Sequence, residues 1–278
     1  MSFCLAHNRA CLPAAPATVG MYLRTLQVAG KARSTINKTT VSAIKRYHEI
    51  YGFAPPTGGA DIKLIKRVVT KLTPPPTPKL PLEKVHLKRM TQIAQNNFID
   101  QRDVFMLKLM FLGLLRESEV VALKFTDVVL HQQDKGTYYL SVFVETSKTD
   151  QGSFGEIVVI EQAEDPLICI VRAYCSYVQL RSAGATYLIH QALGSTQNKM
   201  ASRTANDRIH VWLQRIGVNS SPYGSHSCRR GGATAAANAG VVERLLQKHG
   251  RWASTCVRMY IADDLLQRLK VSRAIHSA

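Results

Sequence analysis

The sequence lacks any apolar run close to the roughly 20 residues that a membrane-spanning helix needs. It also lacks the basic and then apolar N-terminal layout of a secretory signal, so we expect a soluble, intracellular protein. Cysteine occurs six times, but no Cys-x-x-Cys pair and no histidine at zinc-ligand spacing accompanies it. The cysteines therefore predict reduced thiols, without a disulfide framework, a metal site or a cofactor site.

Acidic residues are scarce, because 19 Asp and Glu stand against 36 Lys and Arg, for a formal net charge of +17. The imbalance is strongest in residues 1–80, where Glu49 and Asp61 oppose twelve basic residues. An excess of that size is typical of a protein that binds a polyanion, most often DNA or RNA. A merely solubilising surface is the alternative. Since apolar residues make up 46% of the chain, a packed core is expected.

Five prolines in the eight positions 74–81 mark the clearest boundary in the chain, because such a segment cannot continue a helix or join a central strand. We therefore predict a domain over residues 1–73, a proline-rich linker over 74–81 and a second domain over 82–278. Helical spacing in the first domain begins at Pro16 and predicts two further helices, one capped by Ser34 and one by Asp61. The first domain is thus predicted to be a small basic helical bundle.

The second domain begins with helical patterns over 82–97 and 99–115 and then changes period. Residues 137–144 are rich in β-branched and aromatic side chains, and 157–160 form a second short strand pattern. The polar segment 145–156 between them suits a hairpin tip, and helical patterns return from Asp165 onward. The predicted fold class is mainly α with a small antiparallel β-sheet.

Three distant segments contain reactive polar residues. In the first, Arg116 lies beside acidic residues within an apolar stretch, which indicates either a buried ion pair or a ligand for an anion. In the second, Ser225 as an N-cap would put His226 and Arg229 one turn apart at a helix N-terminus, where anions bind. In the third, Tyr260 follows an aromatic and basic segment; alone, it is most simply a core residue with a wet hydroxyl.

Taken together, these segments resemble the tyrosine recombinases and phage-type integrases over most of residues 80–265. Arg116 matches the first arginine of that family in the context Gly113–Glu119, and His226 with Arg229 matches its His-x-x-Arg box. Tyr260 matches the nucleophile. Trp252 lies eight residues before it, where the family keeps a His or Trp.

One departure from the family concerns the residue that precedes the nucleophile. Trp252 replaces the commoner His, and His249 or Arg251 are alternative claimants to the same role. The family also uses a lysine from a β-hairpin tip; Lys148 matches it, and Lys124 is a rival on the other side of the first predicted strand.

The resemblance implies a site-specific recombinase or integrase, with the basic bundle as its core-binding domain and residues 82–278 as its catalytic domain. Tyr260 would form a 3′-phosphotyrosyl bond and leave a free 5′-hydroxyl, without metal or ATP. Arg116 and Arg229 would clamp the phosphate oxygens, while Trp252 would donate to one of them or pack the site. His226 would act as the base and Lys148 as the acid.

The implied partner is double-stranded DNA, bound by a homotetramer in which the C-terminal helix, predicted over residues 263–274, docks on a neighbouring protomer. A helix packed on its own domain is the alternative for that tail. The context around Gly231 and Gly250 looks most like recombinases of eukaryotic mobile elements (cryptons and related retroelements), which would imply a nuclear location. Two other functions stay open: a catalytically silent DNA-binding protein derived from a mobile element, and a type IB topoisomerase-like enzyme.

Overall fold

The computed structural model describes residues 2–75, 77–133, 136–145, 155–194, 197–252, 255–263, 269–270, 273 and 275. The chain divides into two compact units, Met1–Pro78 and Lys79–Ala278. None of the helices within the described ranges is both long enough and apolar enough to cross a bilayer.

The first unit is helical. Its helices are α1 (Ser2–Ala6), α2 (Pro16–Val28), α3 (Val41–Ile50) and α4 (Ala60–Leu72). The core consists of the apolar side chains Val19, Leu23, Ile36, Val41, Ile62 and Val69. His48 is buried in α3 and accepts a hydrogen bond from Ala14 N at 2.9 Å, which fastens the chain before α2 to α3.

Two helix boundaries in this unit differ from the predictions. Ser34 does not cap a single long helix, because a π-helical turn over Thr35–Thr40 leads into α3. Asp61 does not cap α4; Gly59 is the N-cap and Asp61 lies in the first turn. A carboxylate there is favourable to the helix dipole without being its cap.

The second unit combines helices with a three-stranded antiparallel sheet, which confirms the predicted fold class. Its helices are α5 (Lys84–Ile93), α6 (Phe98–Leu112), α7 (Glu117–Ala122), α8 (Ile170–Val178), α9 (Ser202–Arg215), α10 (Ser227–Asn238) and α11 (Glu243–Gly250). Its strands are β1 (Val128–Gln132), β2 (Tyr138–Val144) and β3 (Glu156–Glu161), in the order β1-β2-β3.

Helix α6 is the centre of this unit. It is buried from Arg102 to Phe111 and packs against α8 and α10. Asn97 begins it, because its side-chain oxygen accepts a hydrogen bond from Asp100 N at 3.0 Å. The first predicted helix of this domain therefore ends earlier than expected, at Ile93, so that Asn97 can cap the next one.

The sheet has one strand more than the pattern predicted. β2 and β3 agree with the predicted strands within about one residue, and Val142 pairs with Val158 across them. β1 was missed because Val128–Gln132 is short and shows no clean alternation of apolar and polar residues. It pairs with the other edge of β2, opposite β3.

Candidate active site

Three successive backbone carbonyl groups at the C-terminal end of α6 accept hydrogen bonds from side chains of α10 and of the end of α11. Leu112 O lies 2.7 Å from Nε2 of His249, which must carry the hydrogen because a carbonyl only accepts. Gly113 O accepts from Arg251, and Leu114 O accepts from Arg251 and Arg229. Leu114 has φ 50°, a left-handed conformation that is uncommon outside glycine. This conformation accompanies a carbonyl that serves two guanidinium groups.

Glu119 is buried in α7, and its carboxylate lies within ion-pair distance of three arginines. Its carboxylate forms an ion pair with the Arg116 guanidinium, lies 2.8 Å from Nη2 of Arg251 and lies 3.7 Å from Nη1 of Arg229. Glu119 Oε2 also accepts a hydrogen bond from Arg116 N at 2.8 Å. We call these four residues the Glu119 cluster. One carboxylate against three guanidinium groups leaves a formal charge of +2.

Burial and charge act in opposite directions within the cluster. Burial alone would raise the pKa of Glu119, but Arg251, Arg116 and Arg229 hold that pKa below its ordinary value. Burial lowers the pKa of Arg229 to about 10, and the neighbouring Arg116 contributes to the same shift. Both groups therefore stay ionised at neutral pH, and the excess positive charge of the cluster persists there.

Close helix packing determines the position of Arg229. A Cβ atom on Gly231 would lie 1.8 Å from Leu82 O, and one on Gly232 would lie 1.9 Å from Phe111 O. No larger residue fits at either position, so Gly231 allows α10 to lie against the chain just before α5, and Gly232 allows it to lie against the backbone of α6. The Arg229 side chain, fully buried, then donates to Leu114 O and to Gly250 O.

The start of α10 differs by one to two residues from the prediction. Ser225 is not the N-cap; His226 occupies that position, and its side chain is exposed. Ser227 stabilises the turn before the helix, because its hydroxyl accepts a hydrogen bond from Gly224 N at 3.0 Å. His226 therefore lies at the helix N-terminus as expected, while a different serine stabilises the preceding turn.

Tyr260 packs beside these groups. Its ring centroid lies 5.1 Å from that of Trp252 and 6.0 Å from that of His226, and the Arg229 guanidinium carbon lies 5.6 Å from it. Thr234 Oγ1 in α10 donates to Tyr260 O at 3.2 Å, which ties the tyrosine backbone to the helix that carries Arg229.

Trp252 links the tyrosine to the arginines. The Arg229 guanidinium carbon lies 4.5 Å from its ring centroid. Its indole Nε1 is buried and has no hydrogen-bond partner among the residues that the structure describes. Such a donor is costly unless something accepts its hydrogen, so the indole is a candidate ligand for an anion at this site. Gly250 is required beneath the ring, because a Cβ there would lie 2.0 Å from Trp252 Cζ3.

The structure thus brings together five of the six predicted site residues. These are Arg116, His226, Arg229, Trp252 and Tyr260. The sixth, Lys148, lies outside the described residues. Its rival Lys124 lies 3.3 Å from Glu145, and both side chains are exposed.

Two members of the site were not predicted in these roles. From the sequence, Glu119 was named only as part of the motif around Arg116 and was given no role. Arg251 was named as an alternative to Trp252, whereas the structure pairs Arg251 with Glu119. The spacing Arg116-x-x-Glu119 at a helix start was an available signal for the first. Nothing local signals the second. Cys228 is excluded as a nucleophile, because burial raises the pKa of its thiol to about 12.

Comparison with known proteins gives the family. The sequence profile of the phage integrase family matches residues 81–265, about two thirds of the chain. The chain belongs to the phage integrase family. All four residues of the Glu119 cluster, together with His226, Trp252 and Tyr260, fall within the matched range.

Individual relatives agree with this family. An integrase/recombinase xerD homolog of Selenomonas ruminantium is 26% identical over 247 residues, which cover 84% of this chain and 69% of the relative. The Tn1549 transposon integrase, solved with a circular intermediate DNA, has a TM-score of 0.60 at 17% identity, covering 94% of this chain and 85% of its own. The XerH site-specific recombinase, solved as a post-cleavage complex, has a TM-score of 0.63 at 15% identity, covering 95% and 73%. The two solved structures show a shared fold for this integrase family member.

Proposed function

We propose that this integrase family member cleaves and rejoins DNA strands through a covalent 3′-phosphotyrosyl bond at Tyr260. The observation that carries the proposal is the position of the Tyr260 ring beside Arg229, Trp252 and His226, next to a buried cluster with a charge of +2. The phenol oxygen attacks the scissile phosphorus, and the bond to the 5′-oxygen breaks. The phosphodiester is exchanged rather than hydrolysed, so the step needs neither ATP nor a metal.

The charge of the Glu119 cluster suits this reaction. A phosphodiester carries one negative charge, and negative charge builds on its non-bridging oxygens as the tyrosine attacks. Arg116 and Arg229 would stabilise those oxygens, and the buried indole N–H of Trp252 would donate to one of them. An anion would also give that N–H the acceptor that it lacks.

Proton transfers are the second requirement. A phenol with an ordinary pKa near 10 needs a base at neutral pH, and the exposed His226 beside the Tyr260 ring is our candidate. Lys148 is our candidate for the acid that protonates the departing 5′-oxygen. That assignment rests on the resemblance alone.

The DNA partner is proposed on two grounds. The related Tn1549 integrase and XerH were solved with DNA. Basic residues also dominate the first unit, where they are spread over its helices and loops. We propose residues 1–73 as a core-binding domain that contacts DNA phosphates, 74–81 as its linker and 82–278 as the catalytic domain.

Assembly into a DNA-bound homotetramer is a further part of the proposal. An apolar groove of about 510 Å³ lies between α6, α10 and α11, and exposed Val241 and Leu245 line it. Such a groove suits an apolar helix from a neighbouring protomer. The predicted C-terminal segment 263–274 falls mostly outside the described residues. The affinity to recombinases of eukaryotic mobile elements, and a nuclear location with it, are proposed from the motifs alone.

The test is covalent trapping on nicked suicide DNA that carries candidate element ends, without metal or ATP. We expect a protein–DNA adduct on a denaturing gel with the wild type, and its loss by at least about 1000-fold in Tyr260→Phe. Tyr138→Phe, in strand β2 of the sheet, is the matched control and should form the adduct normally.

Each other outcome identifies a rival. DNA binding with no adduct on any element end would favour the silent DNA-binding protein. An adduct that survives Tyr260→Phe would mean that another residue is the nucleophile. Relaxation of supercoiled plasmid without site preference would favour the type IB topoisomerase-like enzyme.

A further inference from the structure

Arg251 occupies an unusual place in the chain. It ends α11 in a left-handed conformation, with φ 55° and ψ 48°, where glycine is the usual residue. Its side chain is nonetheless buried, with 3% of the residue exposed. A buried arginine at a strained position is expensive unless its contacts require it there.

Four hydrogen bonds from Arg251 to described residues use the two terminal nitrogens of its guanidinium group. Nη1 donates to Gly113 O at 3.3 Å and to His249 O at 3.1 Å. Nη2 donates to Leu114 O at 3.1 Å and to Glu119 Oε2 at 2.8 Å. All four acceptors belong to the protein, so these hydrogen bonds hold the site rather than a substrate.

Arg251 therefore connects three segments of the chain through its hydrogen bonds. It fastens the end of α6 and the start of α7 to the turn that leads from α11 toward Tyr260. We infer that Arg251 is a positioning residue of the strand-transfer site. It holds Glu119 and the Leu114 carbonyl, and through them it sets the Arg116 and Arg229 guanidinium groups against the phosphate. This inference rests on the proposed function.

The electrostatics support the same role. Charged groups face Glu119 from three elements: Arg116 before α7, Arg229 in α10 and Arg251 after α11. Burial raises the pKa of Glu119, and Arg251 is the strongest of the influences that lower it. Arg251 thus keeps the carboxylate ionised, which Arg116 and Arg229 need as their shared counter-ion.

Chemistry also explains why a lysine cannot substitute. A guanidinium group presents a planar fork, of which one nitrogen here reaches two carbonyls and the other reaches a third carbonyl and a carboxylate. An ammonium group is a single point with three donors, so it can approach Glu119 or the carbonyls but not all four acceptors. The conservative variant is thus expected to restore charge without restoring position.

The first experiment measures single-turnover adduct formation and DNA affinity together. We expect Arg251→Gln to slow adduct formation by about 100-fold and Arg251→Lys by about 10-fold, with the DNA dissociation constant changed less than threefold in either. The matched control is Arg215→Gln, because Arg215 forms a two-pronged ion pair with the buried Asp100 in α6. This control also strands a buried carboxylate, yet per folded molecule it should slow adduct formation by less than about threefold. Equal losses in Arg251→Gln and Arg215→Gln would overturn the inference.

The second experiment does not depend on activity. The ion pair of Glu119 stabilises the fold above the ordinary carboxyl pKa, and this stabilisation is lost as pH falls through the lower pKa of the folded state. We would measure thermal unfolding from pH 3 to 8 for four proteins: the wild type, Glu119→Gln, Arg251→Gln and the double variant. The difference between each protein and its Glu119→Gln counterpart gives the stability that depends on Glu119. Without Arg251, the pH at which the Glu119-dependent stability disappears should move upward.

The two experiments separate the two claims. If the wild type forms no adduct but the transition moves upward, the proposed function fails and the pairing of Arg251 with Glu119 stands. If the wild type forms the adduct but the transition stays in place, Arg251 does not act through Glu119 and the inference fails.

Discussion

Two buried clusters of arginine and carboxylate lie in the same domain, and they are built differently. In the first, which we call the Asp103 cluster, both carboxylate oxygens of Asp103 serve side chains: Arg102 on one oxygen, Arg208 and the Trp212 indole on the other. Guanidinium groups of both clusters also donate to backbone carbonyls, those of the Glu119 cluster at the end of α6 and that of Arg102 at Gln191. The tryptophan beside the Glu119 cluster, Trp252, has a buried indole nitrogen that finds no acceptor within the described part of the chain.

The difference lies in which polar groups are satisfied. Trp212 Nε1 donates to Asp103 Oδ2 at 3.0 Å, so the first cluster is closed and holds α6 to α9. The second retains two positive charges and an indole donor beside a tyrosine. A buried polar cluster that serves stability satisfies its own donors, whereas one that serves ligand binding leaves donors for the ligand. We propose that the Glu119 cluster is of the second kind.

The largest contrast is expected from removing each carboxylate charge. Asp103→Asn should cost about 3–5 kcal/mol of unfolding free energy, because it leaves the buried Arg102 and the half-buried Arg208 without their counter-ion. Adduct formation per folded molecule should change little. Glu119→Gln should slow adduct formation by about 100-fold, because Arg116 and Arg229 lose their shared anchor. Denaturant unfolding and single-turnover trapping measure the two effects separately. The same balance of effects in both variants would remove the distinction between the clusters.

Substitution of the two tryptophans tests the same comparison, with a smaller expected change in unfolding free energy. Trp212→Phe should destabilise the fold by about 2–3 kcal/mol, because it opens space in a fully buried site and removes a donor from Asp103. Loss of the indole N–H in Trp252→Phe should cost less than about 1 kcal/mol, because that N–H has no acceptor among the described residues.

Activity should respond in the opposite order. Trp252→Phe should slow adduct formation by about tenfold or more through the lost donor to the phosphate. Trp212→Phe should leave the rate per folded molecule almost unchanged. A faster or unchanged rate in Trp252→Phe would show that the ring only packs against Tyr260.

The smallest effect concerns one histidine beside each cluster. Burial is the main cause that lowers the pKa of His249 and of His190, whose carbonyl accepts from Arg102. The unfolded chain therefore binds protons that the folded protein excludes, so the unfolding free energy should fall as pH drops below about 6.5. His249→Gln and His190→Gln should each flatten this slope by less than about 1 kcal/mol between pH 7 and 5. Unchanged slopes in both variants would contradict the account.

Local patterns were sufficient for much of the fold. The strands β2 and β3 and most helices follow from short-range periodicity. β1 was missed because five residues give too little pattern. The cap of α10 was shifted because several serines surround His226, and only the turn geometry distinguishes them.

Only those residues of the candidate site that lie in the family motifs could be predicted from the sequence. Arg116, His226, Arg229 and Tyr260 stand in those motifs, and the structure places them close together. The partnership of Glu119 with Arg251 spans 132 residues. It depends on the left-handed turns at Leu114 and Arg251, which no local sequence pattern specifies. The indole N–H of Trp252, which has no acceptor among the described residues, likewise depends on how the site packs and could not be predicted from the sequence.

The most direct test of the open Glu119 cluster uses the two tryptophans as probe and internal control. In Tyr260→Phe protein labelled with ¹⁵N at tryptophan, the two indole N–H resonances can be assigned with Trp252→Phe and followed while duplex DNA with candidate element ends is added. We predict that the Trp252 resonance moves downfield as its hydrogen finds a phosphate oxygen, while the Trp212 resonance stays in place. A stationary Trp252 resonance on saturated DNA, or equal movement of both, would contradict the claim that the cluster is built to receive a phosphate.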